Sequence, residues 1–322
     1  MMPQFNATST ADDVLANVDL RGRRFLVTGV SSGVGLETAR VLASRGAEVV
    51  GTVRDIAKAD KDADSIRAAA RQSGGSLQLI ALDLASLASV RAGADGLLAA
   101  GALFDAVIAN AGVMATPEGR TVDGFETQFG TNHLGHFVLI NRIAALLRIG
   151  SRVVVLSSNG HRGADVDLDD PNFEHKAYDR WAAYGQSKTA NALFAVEFDR
   201  RHRDQGIRAA SVMPGTSDTP LMRHLGQEDL KAVFNQIASD RKAGGEAPLK
   251  MKTVEQMAAT SVWAAIVADA DDIGGRYLEN CHVAEIDDVP GIRDGVMSYA
   301  LDGERAKALW IKSEALVGER YR

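Results

Sequence analysis

The 322-residue chain carries 36 Lys and Arg against 42 Asp and Glu, for a formal charge of -6, and is 46% hydrophobic and 24% charged, which describes a globular protein able to bury a sizeable core. The acidic balance and the lack of a basic run exclude nucleic-acid binding by bulk electrostatics and an anionic-membrane patch. A lone Cys281 excludes an intrachain disulfide, no apolar run approaches the roughly 20 residues that span a bilayer, and polar Met1 to Asp13 lacks a signal-peptide core, so a cytoplasmic protein is expected.

In chain order, residues 1–19 read as a polar N-terminal extension and 20–322 as one domain. Short β-branched and aliphatic runs recur at 24–28, 48–53, 77–82, 104–109, 152–156 and 207–212, separated by Ala- and Leu-rich stretches of helical length. That alternation predicts βαβ units around a buried parallel sheet. Past Pro214 the pattern changes: 216–253 is loop-like with helical pieces, 254–268 predicts a helix, Gly274-Gly275 opens a short seventh strand around 276–278, and 303–317 predicts a last amphipathic helix. The expected fold is α/β, a single-domain Rossmann fold whose doubly wound parallel sheet has about seven strands and helices on both faces. Ligand specificity in open sheets sits beyond the carboxyl ends of the strands, which makes 216–253 a candidate substrate lid, with a plain surface excursion as the alternative.

The first strand runs into Thr28-Gly29-Val30-Ser31-Ser32-Gly33-Val34-Gly35. Glycine there permits a tight turn and lets the backbone of Ser31, Ser32, Gly33 and Val34, at a helix N-terminus, approach a phosphate; a turn that merely joins strand to helix is the alternative. The second strand ends in Val53-Arg54-Asp55. An acid at that point would bond a free ribose 2′-hydroxyl, whereas Arg54 can clamp a 2′-phosphate bidentately, with Lys58 a second contact. NADP(H) is therefore expected, NAD(H) being the alternative if Asp55 turns inward. Asp83-Leu84 after the third strand can face an adenine, and Asn110-Ala111-Gly112 after the fourth offers a small wall beside a cofactor. The fifth strand ends in Ser157-Ser158, and the next helix carries Tyr184 and Lys188 on one face. A nearby ammonium and an oxidised nicotinamide would favour the phenolate of Tyr184, making it a general acid/base.

These motifs, in this order and over about residues 20–317, resemble the short-chain dehydrogenase/reductase family. The resemblance implies Ser158, rather than Ser157, as carbonyl orienter, Tyr184 as acid/base and Lys188 as ribose contact and pKa depressor. It also implies Asn132 as fourth catalytic member in a water relay, and Pro214, Gly215, Thr216 and Thr219 as contacts of the nicotinamide end. Val53 stands where NAD-preferring relatives carry their acid. The long gap from Ser158 to Tyr184, the Asn132-His133-Leu134-Gly135-His136-Phe137 segment and the late Leu309-Trp310 and Ser313-Glu314 resemble the retinol dehydrogenase, WW-domain oxidoreductase and protochlorophyllide reductase branch. Leu221, Met222 and Leu225, with Phe234, suggest a hydrophobic substrate, bulky ones included. His133 and His136 lack further ligands at metal-site spacing and are expected to pack or hydrogen-bond near a subunit interface, in a homodimer or homotetramer. The expected activity interconverts an alcohol and a ketone or aldehyde; a C=C reductase and a non-catalytic NADP(H)-sensing regulator are the alternatives.

Overall fold

A computed structural model describes residues 5–217 and 220–321. The apolar runs form β1 (Arg24–Thr28), β2 (Glu48–Val53), β3 (Ser76–Ala81), β4 (Phe104–Ala109), β5 (Leu147–Leu156) and β6 (Arg208–Met213), followed by β7 (Tyr277–Glu279) and β8 (His282–Val283). They make one sheet in the order β3-β2-β1-β4-β5-β6-β7-β8, parallel except for the antiparallel β7–β8 pair. The eighth strand lies beyond the expected seven. It arises because Asn280 and Cys281 both take left-handed backbone angles, φ 49° and 60°, the requirement of a two-residue hairpin turn.

Side chains alternate between the two faces of the strands, and each face has its own core. Leu26, Val107, Val153 and Val155 meet α3 (Leu87–Ala100), α4 (Gly135–Arg142), α5 (Arg180–His202) and α8 (Gly303–Val317). Phe25, Val27, Ile108, Val154 and Val212 meet α1 (Gly33–Ser44), α2 (Asp64–Ser73) and α7 (Val254–Val262) on the other side. Ala11, Val14 and Leu15 from the polar N-terminal stretch join this second core. The helix expected over 254–268 changes to a π-helical turn at Trp263–Val267, and the segment after β6 contains α6 (Gln227–Ala243). Among the described residues no helix is long and apolar enough to cross a membrane.

The sheet order makes β1 and β4 neighbours although their outgoing helices cover opposite faces. The connections that leave their carboxyl ends therefore diverge to opposite faces and open a crevice there, the usual ligand position of such sheets. Thr28-Gly29 and Asn110 stand on its two sides.

Candidate active site

A cavity of 340 Å³ follows this carboxyl edge. Of the residues singled out in the sequence, Gly29, Ser31, Ser32, Gly33, Val34, Gly35, Arg54, Asp83, Leu84, Asn110, Ala111, Gly112, Ser158, Tyr184, Lys188, Pro214, Gly215 and Leu221 line it. Asn132, Thr216, Met222 and Leu225 are not in its lining, and Thr219 lies outside the described residues. Thr127, Thr131, Arg223 and Met257 line it without having been anticipated.

The turn after β1 is built for close backbone approach. Gly29 and Gly33 take positive φ, 74° and 56°, and a Cβ on Gly35 would collide with the Gly29 carbonyl oxygen and the Asn110 amide. Asn110 Nδ2 donates to the Thr28 carbonyl at 2.9 Å, and the Ala111 N–H donates to Thr28 Oγ1 at 2.9 Å, so β4 braces the turn. Ser32 precedes α1 without making a side-chain cap bond, and Gly33, Val34 and Gly35 of its first turn face the cavity. Cradle, orphan N–H groups and helix dipole suit a pyrophosphate.

At the end of β2, Asp55 is committed elsewhere: it caps the short helix Ile56–Ala59 by accepting from the Lys58 N–H at 3.2 Å. Lys58 Nζ lies 3.8 Å from the same carboxylate and is 87% exposed, so Lys58 belongs to this cap, whereas Arg54 lines the cavity. The charged lining residues are then Arg54, Lys188 and Arg223 against Asp83. Asp83 accepts from the Ala85 N–H at 3.0 Å as a turn residue.

The reacting groups meet where β5 faces α5. Ser158 Oγ accepts from the Gly160 N–H at 3.1 Å and hydrogen-bonds the Tyr184 side chain. Gly160 is obligatory, since a Cβ there would sit 2.7 Å from Tyr184 Cε1. Ser157 instead donates to the Lys188 carbonyl at 2.8 Å and stitches β5 to α5. Lys188 Nζ donates to the Leu156 carbonyl at 3.0 Å and lies 5.7 Å from the centre of the Tyr184 ring. Burial pushes the phenol up to about 12, against the Ser158 hydrogen bond, and pushes the ammonium down to about 8. The sequence pointed to a phenol lowered by its lysine; in this pocket desolvation is the larger effect.

Asn132 sits behind this centre, in a π-helical turn over Gly130–Leu134. Its Oδ1 accepts from the Val113 N–H at 2.8 Å, while Nδ2 donates to the Val113 carbonyl and to Ser187 Oγ, each at 2.9 Å. It thereby ties the Asn110–Val113 turn to α5. His136 Nδ1 must donate to the Asn132 carbonyl at 2.9 Å, which leaves Nε2 to accept from the Thr28 hydroxyl at 2.9 Å. His133 Nε2 pairs with Ser313 Oγ at 2.8 Å and joins the same π-helical turn to α8. Both rings are 1% exposed, so they pack and hydrogen-bond inside the chain, as expected of them.

His161 was missed because a single histidine in a loop carries no pattern. Its Nδ1 donates to the Ser158 carbonyl at 2.7 Å and its Nε2 accepts from the Met297 N–H at 3.1 Å, fixing the serine's turn from behind. Met114, Ala115 and Tyr184 form one buried apolar cluster, packed by Trp181, Leu221, Met222 and Leu225. Met222 and Leu225 thus support the wall beside the phenol. Phe234 lies elsewhere, in a groove with Ala238, Pro248, Leu249 and Met251, because its turn of α6 faces that loop.

Residues 23–230 match the family model described as short chain dehydrogenase. A protein named Probable oxidoreductase from Streptomyces lividans is 42% identical over 91% of this chain and 97% of its own length. Retinol dehydrogenase 13 of Homo sapiens is 35% identical over 92% of this chain and 85% of its own. An uncharacterized protein from Mycobacterium paratuberculosis superposes with a TM-score of 0.72 at 34% identity, covering 98% of this chain and 99% of that one. The RhlG/NADP active-site complex of Pseudomonas aeruginosa gives a TM-score of 0.61 at 25% identity, over 81% and 95% of the two chains.

Proposed function

The chain belongs to the short-chain dehydrogenase/reductase family, in its retinol dehydrogenase-like branch, and on that premise we propose that it is an NADP(H)-dependent oxidoreductase that reduces a ketone or aldehyde of a hydrophobic substrate and oxidises the corresponding alcohol in reverse. One observation carries the reading: Ser158, Tyr184 and Lys188 converge on a cavity whose other end is a glycine cradle and Arg54.

The cofactor fits residues present here. Gly29 to Gly35 and the first turn of α1 would hold the pyrophosphate, Arg54 the 2′-phosphate, Asn110 to Gly112 and Pro214-Gly215 the nicotinamide side, and Lys188 the ribose. NADPH in that position supplies a hydride, and NADP⁺ accepts one. Tyr184, with its phenol pushed up to about 12, is protonated at neutral pH and donates its proton to the substrate carbonyl oxygen. The Ser158 hydroxyl donates a second hydrogen bond to that oxygen and stabilises the charge developing on it. Lys188 steadies the phenolate that remains, and Asn132 and His161 hold the turns that carry the partners. Leu221 lines the cavity and packs on the apolar cluster around Tyr184, with Met114, Trp181, Met222 and Leu225 in the same cluster, so hydrophobic carbonyl compounds are favoured.

The test is a screen of NADPH consumption over ketones, aldehydes and unsaturated carbonyl compounds, with NADH in parallel and products identified. Alcohol formation supports the proposal. Saturation of a C=C bond with the carbonyl intact would replace it with an ene-reductase assignment. NADPH binding without turnover across the panel would favour a sensor.

A further inference from the structure

The excursion over 216–253 leaves the sheet after β6 and ends at α7, and its two ends meet at Lys252. The Lys252 N–H donates to the Thr216 carbonyl at 2.9 Å. Its Nζ donates to Asn280 Oδ1 at 2.7 Å and to the Pro214 carbonyl at 3.4 Å. Its stem covers Gly215, where an added Cβ would sit 2.5 Å from Lys252 Cδ. One residue thus touches every member of the Pro214-Gly215-Thr216 turn. Pro214 and Gly215 line the cavity and Lys252 does not, so it acts on the turn from behind. Its own place is fixed from two sides. Thr253, the next residue, starts α7 with a reciprocal capping box to Gln256. Met213 pairs with Glu279, so β6 and β7 end side by side and Asn280 opens the hairpin turn next to Pro214.

We propose that Lys252 is a positioning residue for the nicotinamide end of the cofactor: it fastens the Pro214-Gly215-Thr216 turn to the β7–β8 hairpin and so sets the nicotinamide against Ser158 and Tyr184. This rests on the NADP(H) reading above, in which Pro214 and Gly215 take the nicotinamide side. A turn centred on a glycine at φ 121° has little conformational restraint of its own, and the carbonyls on either side of that glycine are the groups that Lys252 holds. Both ammonium contacts are to uncharged acceptors, which suits fastening of a turn rather than neutralisation of an acid. Hydride transfer depends steeply on the placing of the reacting atoms, so a small shift of this turn reaches the chemistry. Neither Lys252 nor Asn280 stood out in the sequence, because only the fold brings them to Pro214.

The experiment combines calorimetry with NADPH and with adenosine 2′,5′-bisphosphate, which lacks the nicotinamide, and single-turnover hydride transfer to a carbonyl compound that the wild type reduces. The variants are Lys252→Met, which keeps the stem over Gly215 and removes the donor, Asn280→Gly, which removes the acceptor at a φ of 49° that glycine tolerates, their double variant, and Lys252→Arg. Lys252→Met is expected to weaken NADPH about tenfold, to leave the bisphosphate within about twofold, and to slow hydride transfer at saturating NADPH at least about tenfold. Asn280→Gly should do the same to a smaller extent, the double variant should be no worse than Lys252→Met, and Lys252→Arg should recover part of the loss. Equal weakening of NADPH and the bisphosphate would overturn the inference, as would additive losses in the double variant. Unchanged NADPH affinity and hydride transfer in Lys252→Met would overturn it while sparing the proposed cofactor; should that variant not fold, the same outcomes in Asn280→Gly decide. A wild type that does not bind NADPH would remove the cofactor reading and the inference together.

Discussion

Lys188 is the residue whose environment makes the sharpest statement about chemistry. Its ammonium is buried with the Leu156 carbonyl as acceptor and is pushed down to about 8, so the charge that its proposed ribose and phenolate roles require is lost within an accessible range. NADPH affinity should therefore stay level from pH 7 to about 8 and weaken above it, and titration calorimetry on Lys188→Met should show weaker binding with no such limb. A limb that persists in the variant would assign the ionisation elsewhere. The convergence of Ser158, Tyr184 and Lys188 on one cavity was legible in the sequence, because the motifs that carry them are set by identity and order along the chain. The packing of Met114 and Trp181 on Tyr184 was not, since only folding sets an apolar residue beside a phenol. His161 illustrates the same limit, as its partners Ser158 and Met297 are far apart in sequence.

The strand-turn-helix unit formed by β1, its glycine turn and α1 concentrates the binding function in one element. Two glycines of the chain separate local propensity from this role. Gly35 has no room for a Cβ between the Gly29 carbonyl and the Asn110 amide, whereas an added Cβ at Gly96, on the exposed side of α3, meets nothing within 4 Å. Gly35→Ala should destabilise the fold and weaken NADPH binding by at least about tenfold, through a displaced cradle. Gly96→Ala should raise stability by about 0.5–1 kcal/mol with affinity unchanged, because it replaces a poor helix former. Urea unfolding and NADPH titration read both; normal binding in Gly35→Ala would refute the cradle. At this scale the sequence was most informative: buried parallel strands declare themselves as aliphatic runs between helical stretches. β8 escaped because its turn uses Asn280 and Cys281 without glycine, and the π-helical turn after α7 breaks no propensity rule.

Across the whole molecule, three of the buried histidines tie separate elements together: His133 reaches Ser313, His136 links Asn132 to Thr28, and His161 links Ser158 to Met297. His133, His136 and His161 are pushed by burial down to about 3, 4 and 4 from an ordinary 6.5. Between those values the unfolded chain binds protons that the folded chain does not, so stability is full above pH 6.5 and falls as pH drops, by about 1.4 kcal/mol per pH unit for each ring. Glu126 and Glu279, raised by burial, bind protons in the folded state and oppose part of this slope. The difference between wild type and His161→Gln isolates one ring: the variant should lose one proton's worth of slope in urea unfolding between pH 6 and 5, and an identical slope would contradict the assignment. The doubly wound parallel sheet was implied by the alternation of elements, but its strand order and the enclosure of His133 and His136 were not, because they depend on how the elements pack. What the whole fold delivers is a protonated phenol held against Ser158 beside a dinucleotide cradle. Single-turnover kinetics of Tyr184→Phe with a ketone substrate test that most directly. NADPH should bind within about twofold of wild type while hydride transfer falls about 10²- to 10⁴-fold, the range of general-acid catalysis; near-normal transfer in the phenylalanine enzyme would contradict the account.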